Sequence, residues 1–223
     1  MPVAPDLLKF LQDLAKNNNR EWFERHKPAY QKLYNEFKDF HQEVGEKMKA
    51  HDQVETGRVY RIYRDVRFSK DKTPYKDNLA FNLKRATHYL RGGYYFQLEP
   101  GGSFLAGGFF GPNAQDLLHI RRQISQFPEP LKDILEDDSF KSYFGTLEGE
   151  QLKTSPKGFE SDDPAIELLR YKQFYVKHHF ADKEVLSADF AETLTAGFVQ
   201  LRPFFDYMSE ILTTDLNGES LIE

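Results

Sequence analysis

Apolar residues recur at helical steps through the first fifty positions. Leu7, Leu8, Phe10, Leu11 and Leu14 make one apolar face over residues 5–15, and the run Asn17-Asn18-Asn19 ends that helix. Pro28 fits the first turn of a longer helix reaching residue 50, whose Tyr30, Leu33, Tyr34, Phe37, Phe40, Val44 and Met48 give it an aromatic inner face. The period then shortens to two. Tyr60, Ile62, Val66 and Phe68 share one parity while Arg61, Tyr63, Asp65 and Arg67 share the other, which predicts a half-buried strand over 59–68. Arg64 falls in the apolar row, where a charge is costly unless paired, so burial against a carboxylate or a ligand is expected.

Alternation returns at 78–84, 94–99, 103–110 and 173–180, and Pro100-Gly101-Gly102 joins the second and third of these stretches as a hairpin. Asn113, with Asp116 three residues on, caps a helix carrying Leu117, Leu118, Ile120 and Ile124, and Pro128 to Asp138 forms another. Asp163 before Pro164 reads as the cap of a short helix through Leu169. A last helix opens at Ser187 and runs to Met208, broken or kinked by Pro203. Strands and helices do not alternate regularly, so the expected fold is α+β: a mainly antiparallel sheet packed by N-terminal and C-terminal helices. One domain over 1–217 with a loose tail at 218–223 is the simplest organisation.

Of 223 residues, 39% are apolar and 15% aromatic, enough for a filled core and inconsistent with disorder or a coiled coil. A net charge of −5 disfavours a polyanion-coating role such as bulk DNA binding. The absence of cysteine excludes disulfides, thiolate zinc sites and cysteine nucleophiles, and fits a reducing compartment. The opening MPVAPDLLKFLQDLAKNNNREW lacks a basic start and a long apolar run, and no 18-residue apolar stretch occurs, so no membrane association and a cytoplasmic location are expected.

Charge is unevenly placed. Arg58, Arg61, Arg64, Arg67, Lys70, Lys72 and Lys76 face only Asp65 and Asp71 within residues 58–76, a local +5 that leaves −10 for the rest. Guanidinium groups supply planar bidentate donors and ammonium groups supply point charge, which together suit phosphate or carboxylate. The candidate ligand contacts are Arg64, Arg67, Lys70, Lys72, Tyr75 and Lys76, with Tyr63, Phe68 and Tyr75 interleaved to stack on a flat ligand or on the guanidinium planes. Lys157, in a polar turn with Lys153 and Arg170 nearby, is expected to fold beside this loop and complete a pocket, with Arg20 and Trp22 at its rim. The alternative for the same cations is a solvated strand face.

Other patterns carry less. Ser69-Lys70-Asp71-Lys72 has S-x-x-K spacing without a helix or companion motifs. His26, His41, His51, His88 and His119 are dispersed and His178-His179 point to opposite sides of a strand, so no metal and no cofactor is expected. The glycines Gly101, Gly102, Gly107, Gly108 and Gly111 fit neither G-x-G-x-x-G nor a P-loop, and read as tight turns and close strand packing.

LQDLAKNNNREWF at Leu11–Phe23, RIYRDVRFSKDKTPYK at Arg61–Lys76, GYYFQLEPGG at Gly93–Gly102 and PKGFESDDPAIELLR at Pro156–Arg170 resemble motifs of DUF2461, a bacterial and fungal family of unknown function. The resemblance runs over residues 7–213 and implies a shared fold, with no activity or catalytic residues to transfer. Three classes stay open: a binding domain or enzyme for a small phosphorylated or carboxylated ligand, a single-stranded nucleic-acid-acting protein using the same loop, and an interaction module whose loop is structural. The first is favoured, because an acidic remainder repels a polynucleotide while a confined cationic pocket still holds one anion.

Overall fold

The computed structural model describes residues 2–55 and 57–222. Met1 and Thr56 of the expected domain, and Glu223 of the expected tail, lie outside the described residues. Among those residues the order is α1 (Pro5–Lys16), α2 (Arg20–Met48), β1 (Val54–Glu55), β2 (Leu79–Arg85), β3 (Gly93–Leu98), β4 (Phe104–Phe109), α3 (Ala114–Gln126), α4 (Glu129–Glu136), α5 (Asp138–Phe144), α6 (Ile166–Leu169), β5 (Phe174–His179), α7 (Asp182–Val185), α8 (Phe190–Val199) and α9 (Arg202–Thr213). The strands form one antiparallel sheet in chain order, so the fold is α+β.

Two expected elements differ. The strand over 59–68 is replaced by isolated bridges, Val59 to Phe81 and Tyr63 to Tyr75. The reason is local competition: Asp65 accepts from the Arg67 N–H at 3.2 Å and Asp71 from the Thr73 N–H at 2.9 Å, turns that take the backbone away from a ladder. Alternation therefore fails at its end, where Phe68 is 96% exposed. The long helix starts at Arg20 rather than Pro28, because Asn19 caps it by accepting the Trp22 N–H at 2.9 Å. Pro28 then sits inside the helix on its exposed side, at the cost of one backbone bond.

The chain divides into two compact units, each described by itself. The first comprises Met1–Lys84, Tyr95–Leu105 and His179–Gly197. Its core is aromatic: Phe81 and Phe96 lie 5.5 Å apart, Phe96 and Phe190 5.5 Å, and Phe40 stacks on Phe190 at 5.9 Å. All four rings are fully buried, each contributing about 1.5–3 kcal/mol of transfer free energy. Burial alternates along β3, where Phe96 and Leu98 face this core while Tyr95 and Gln97 are half-buried on the opposite face. The β3–β4 turn is closed by the Gly102 N–H donating to Glu99 O at 2.9 Å, with Pro100 second and Gly101 third at φ 72°, a conformation that favours glycine.

The second unit comprises Arg85–Tyr94, Ala106–His178 and Phe198–Glu223. Its Arg85 guanidinium is buried and bonded to Asp206 at 2.6 Å and to Ser209 Oγ at 3.1 Å. Gly108 permits the close approach of β4 to β5, since a Cβ there would lie 2.2 Å from Phe174 O. Asn113 caps α3 as expected, and Pro203 occupies the first turn of α9, which breaks the last helix in two. In the described part of the tail, the Leu221 N–H donates to Thr213 O at 2.8 Å.

His41 on α2 is buried, with its Nε2 3.3 Å from Asn82 O, and burial pushes its pKa below the usual histidine value. A lowered folded-state pKa means the unfolded chain takes up the proton more readily, so the contribution is complete above about 6.5 and is lost as pH falls through the folded value. His41→Gln removes that loss. Chemical denaturation between pH 7 and pH 5 is expected to show a shallower decline in the variant than in the wild type.

Candidate anion-binding site

The basic segment is fastened to the helical corner by one amide. Asn18 Nδ2 donates to Tyr75 O at 2.9 Å, and the Tyr75 N–H donates back to Asn18 Oδ1 at 3.1 Å. Phe23, in the first turn of α2, stacks on the Tyr75 ring at 4.0 Å and 18°. The loop stem closes through the Arg64 N–H to Pro74 O at 3.0 Å and the Lys76 N–H to Ile62 O at 2.8 Å.

Within this loop most cations are already occupied. Arg67 grips Asp65 with two bonds, at 3.0 and 2.6 Å, and these hold the Asp65 carboxyl down at about 2. Arg64 reaches Asp71 at 2.7 Å and Tyr75 O at 3.4 Å. Asp71 is held below the usual carboxylate range, chiefly by the Thr73 N–H and hydroxyl and then by Arg64. Lys72 Nζ donates to Val66 O at 2.9 Å, while Lys70 is exposed with no ion pair among the described residues. The carboxylate partner expected for Arg64 is present, but its burial is only partial, the side chain being 29% exposed. Tyr75 is buried at 3% exposure, so its ring serves the core. Lys157 is exposed in the second unit, and Trp22 stacks on His26 at 4.0 Å in the first.

The cations left over are grouped around Lys76. Lys76, half-buried, places Nζ 5.8 Å from the Tyr60 ring centre, and the Arg58 guanidinium sits 4.7 Å over the same ring. Burial and the nearby Arg61, Arg64 and Arg58 charges push the Lys76 pKa down. Arg58, Arg61 and Lys76 make no ion pair among the described residues. Phosphate or carboxylate, accepting from several of these donors at once, would relieve this repulsion. Arg58 and Tyr60 were legible as a pair, since residues two apart on an extended chain share a face. Arg61 carried no such signal beyond its charge.

Elsewhere the histidines serve structural bonds. His178 Nδ1 lies 2.7 Å from Tyr143 O with the two rings stacked at 3.8 Å, and His119 Nε2 lies 2.9 Å from Thr214 O. Among the described residues no group of three or more His, Asp or Glu is placed to hold a metal ion. Asp163 accepts the Ala165 N–H at 2.8 Å in a turn ahead of α6, whose N-cap is Ala165 without a side-chain bond, so the capping role expected of Asp163 is not the one it takes. Among the described residues no helix is long and apolar enough to cross a membrane.

The family model for conserved hypothetical proteins DUF2461 matches residues 6–207. The chain belongs to DUF2461. No curated protein and no solved structure matches it. The DUF2461 region includes the whole arrangement above, and two of the motifs that carry the resemblance meet in it, Asn18 from one and Tyr75 from the other.

Asn18→Ala leaves the Tyr75 N–H without its partner and its carbonyl with only the longer Arg64 bond, an expected loss of about 1–3 kcal/mol. Thermal denaturation should show a drop of about 2–10 °C, with faster amide exchange at Tyr75 and Lys76. Arg64→Met removes a pair whose members are both partly exposed, so the denaturant midpoint should report a loss of no more than about 1 kcal/mol.

Proposed function

We propose that the protein is a cytoplasmic binder of a small phosphorylated or carboxylated ligand, taken up by the basic segment. The observation that carries the reading is the convergence of Arg58 and Lys76 on one tyrosine ring, with Arg61 and Arg64 close by and no bonded carboxylate on Arg58, Arg61 or Lys76 among the described residues. Cations already hydrogen-bonded to a protein acceptor need no ligand, which is the condition of Arg67 on Asp65 and of Lys72 on Val66 O. Binding therefore centres on the stem rather than the tip. The tip lysine Lys70 adds attraction at longer range, where salt screens it.

A half-buried ammonium among guanidinium groups gives binding a defined pH dependence. Lys76 holds its proton less firmly than an ordinary lysine, so it loses its charge at lower pH, and anion affinity falls earlier in the alkaline range than a normal lysine would allow. Lys76→Arg removes this early fall.

Calorimetric titration with inorganic phosphate and citrate tests the reading. Arg61→Ala and Lys76→Ala are each expected to weaken the anion that binds by about ten-fold or more, since a charge-assisted hydrogen bond contributes roughly 1.5–3 kcal/mol. Lys70→Ala with Lys72→Ala should weaken it less. Absence of binding by both anions, or an effect confined to the Lys70 and Lys72 variant, contradicts the proposal. Tight binding of single-stranded DNA with none of the small anions would favour the nucleic-acid alternative instead.

A further inference from the structure

The open face of the sheet in the first unit carries a row of rings that starts at the cation cluster. Tyr60, under Arg58 and Lys76, is 6.1 Å from Tyr95 on β3. Tyr95 is 5.9 Å from Phe104 on β4, and Phe104 is 5.6 Å from His179 at the end of β5. Tyr60, Tyr95 and Phe104 are half-buried and His179 is exposed, while Phe96 and Leu105 next to them in sequence are fully buried in the core. A sheet edge-to-edge row of aromatic residues on a face that the core does not use is poorly explained by packing, which the opposite face already supplies.

The row is polarised. Its Tyr60 end has the cations. Further along β3, the Tyr95 hydroxyl donates to Gln97 Oε1 at 2.8 Å, and Gln97 Nε2 donates to Glu99 at 2.6 Å, a string of polar groups ending in a carboxylate. Burial, with Tyr60 and Glu99 nearby, pushes the Tyr95 pKa up to about 12, which keeps its hydroxyl a donor.

We propose that the ligand of the anion site is a nucleoside monophosphate, its phosphate held by Arg58, Arg61 and Lys76 and its base laid against Tyr95 and Phe104. This rests on the anion-binding reading and adds the identity of the rest of the ligand. A flat heterocycle stacks on aromatic side chains whatever its sequence identity, and its polar edge meets the Gln97–Glu99 string. The distribution of charge selects a monomer over a strand. A single-stranded nucleic acid brings a phosphate with every base and needs cations spaced along the row, whereas here they gather at its Tyr60 end and the acceptor string beside Tyr95 ends in the Glu99 carboxylate.

The test is calorimetric titration of the full chain with inorganic phosphate, ribose 5-phosphate, the four ribonucleoside 5′-monophosphates and a short single-stranded oligonucleotide. At least one monophosphate is expected to bind on the order of ten-fold or more tighter than ribose 5-phosphate, the range that one stacked base confers. Phe104→Leu keeps apolar bulk and removes the ring. It should abolish that advantage while leaving ribose 5-phosphate affinity unchanged, and Tyr95→Leu gives an independent reading of the same loss. Equal affinity for ribose 5-phosphate and every monophosphate overturns the nucleotide assignment while the anion site stands. An advantage that survives both leucine variants also overturns it, as does an oligonucleotide that binds more tightly than any monophosphate. Failure of phosphate, ribose 5-phosphate and all monophosphates to bind removes the underlying anion reading for phosphates, and this inference with it.

Discussion

Asn18 satisfies both backbone polar groups of Tyr75, a residue 57 positions away, and the geometry of the basic segment follows from that one amide. A strand ladder would ordinarily bond such groups, but residues 59–68 make only isolated bridges. A carboxamide has a donor and an acceptor side by side, so it can stand in for the missing neighbouring strand. With its backbone held and its ring on Phe23, Tyr75 points into the core. On extended backbone the next side chain points the opposite way, and that residue is Lys76. Fixing Tyr75 inward thus delivers Lys76 outward to Tyr60.

The two acids of the segment decide which of its cations stay available. Asp65 and Asp71 are drawn into turns with Arg67 and Thr73, so their hydrogen bonds go to Arg67 and Arg64 at the loop tip, while Arg61 acts on Asp65 only through its charge. Arg58, Arg61 and Lys76 remain without a bonded carboxylate among the described residues, and burial followed by the nearby Arg61, Arg64 and Arg58 charges disfavours the charge on Lys76. Such an arrangement costs folding stability and persists only if the surrounding packing enforces it. Here the enforcement is the aromatic core behind the sheet and the clamp at Tyr75.

Elements with a long, regular period were legible in the chain. The leucine spacing of α1, the aromatic stripe of α2, the Pro100-Gly101-Gly102 turn and the Asn113 cap all express local rules that act within a few residues. The first strand was misread because Asp65 and Asp71 offer the backbone short-range partners that an alternation pattern does not register. Asn17-Asn18-Asn19 reads as a helix stop, yet it holds three roles: Asn17 ends α1, Asn19 starts α2 and Asn18 reaches across to Tyr75. Only the first two are local. The charge of the basic segment was visible at once, but which cations are neutralised depends on side-chain pairing across the loop, and the ring row depends on strand register, neither of which a linear pattern encodes.

Whether the stem cluster is an anion site shows most directly in where a heavy oxyanion lodges. A crystal soaked in tungstate, a tetrahedral dianion like phosphate, would locate it by anomalous scattering. An anion site there gives a peak within hydrogen-bonding reach of Lys76 and at least one of Arg58 and Arg61, beside Tyr60. Tungstate found only at the loop tip around Lys70 and Lys72, or found elsewhere with the stem cluster empty, would contradict it.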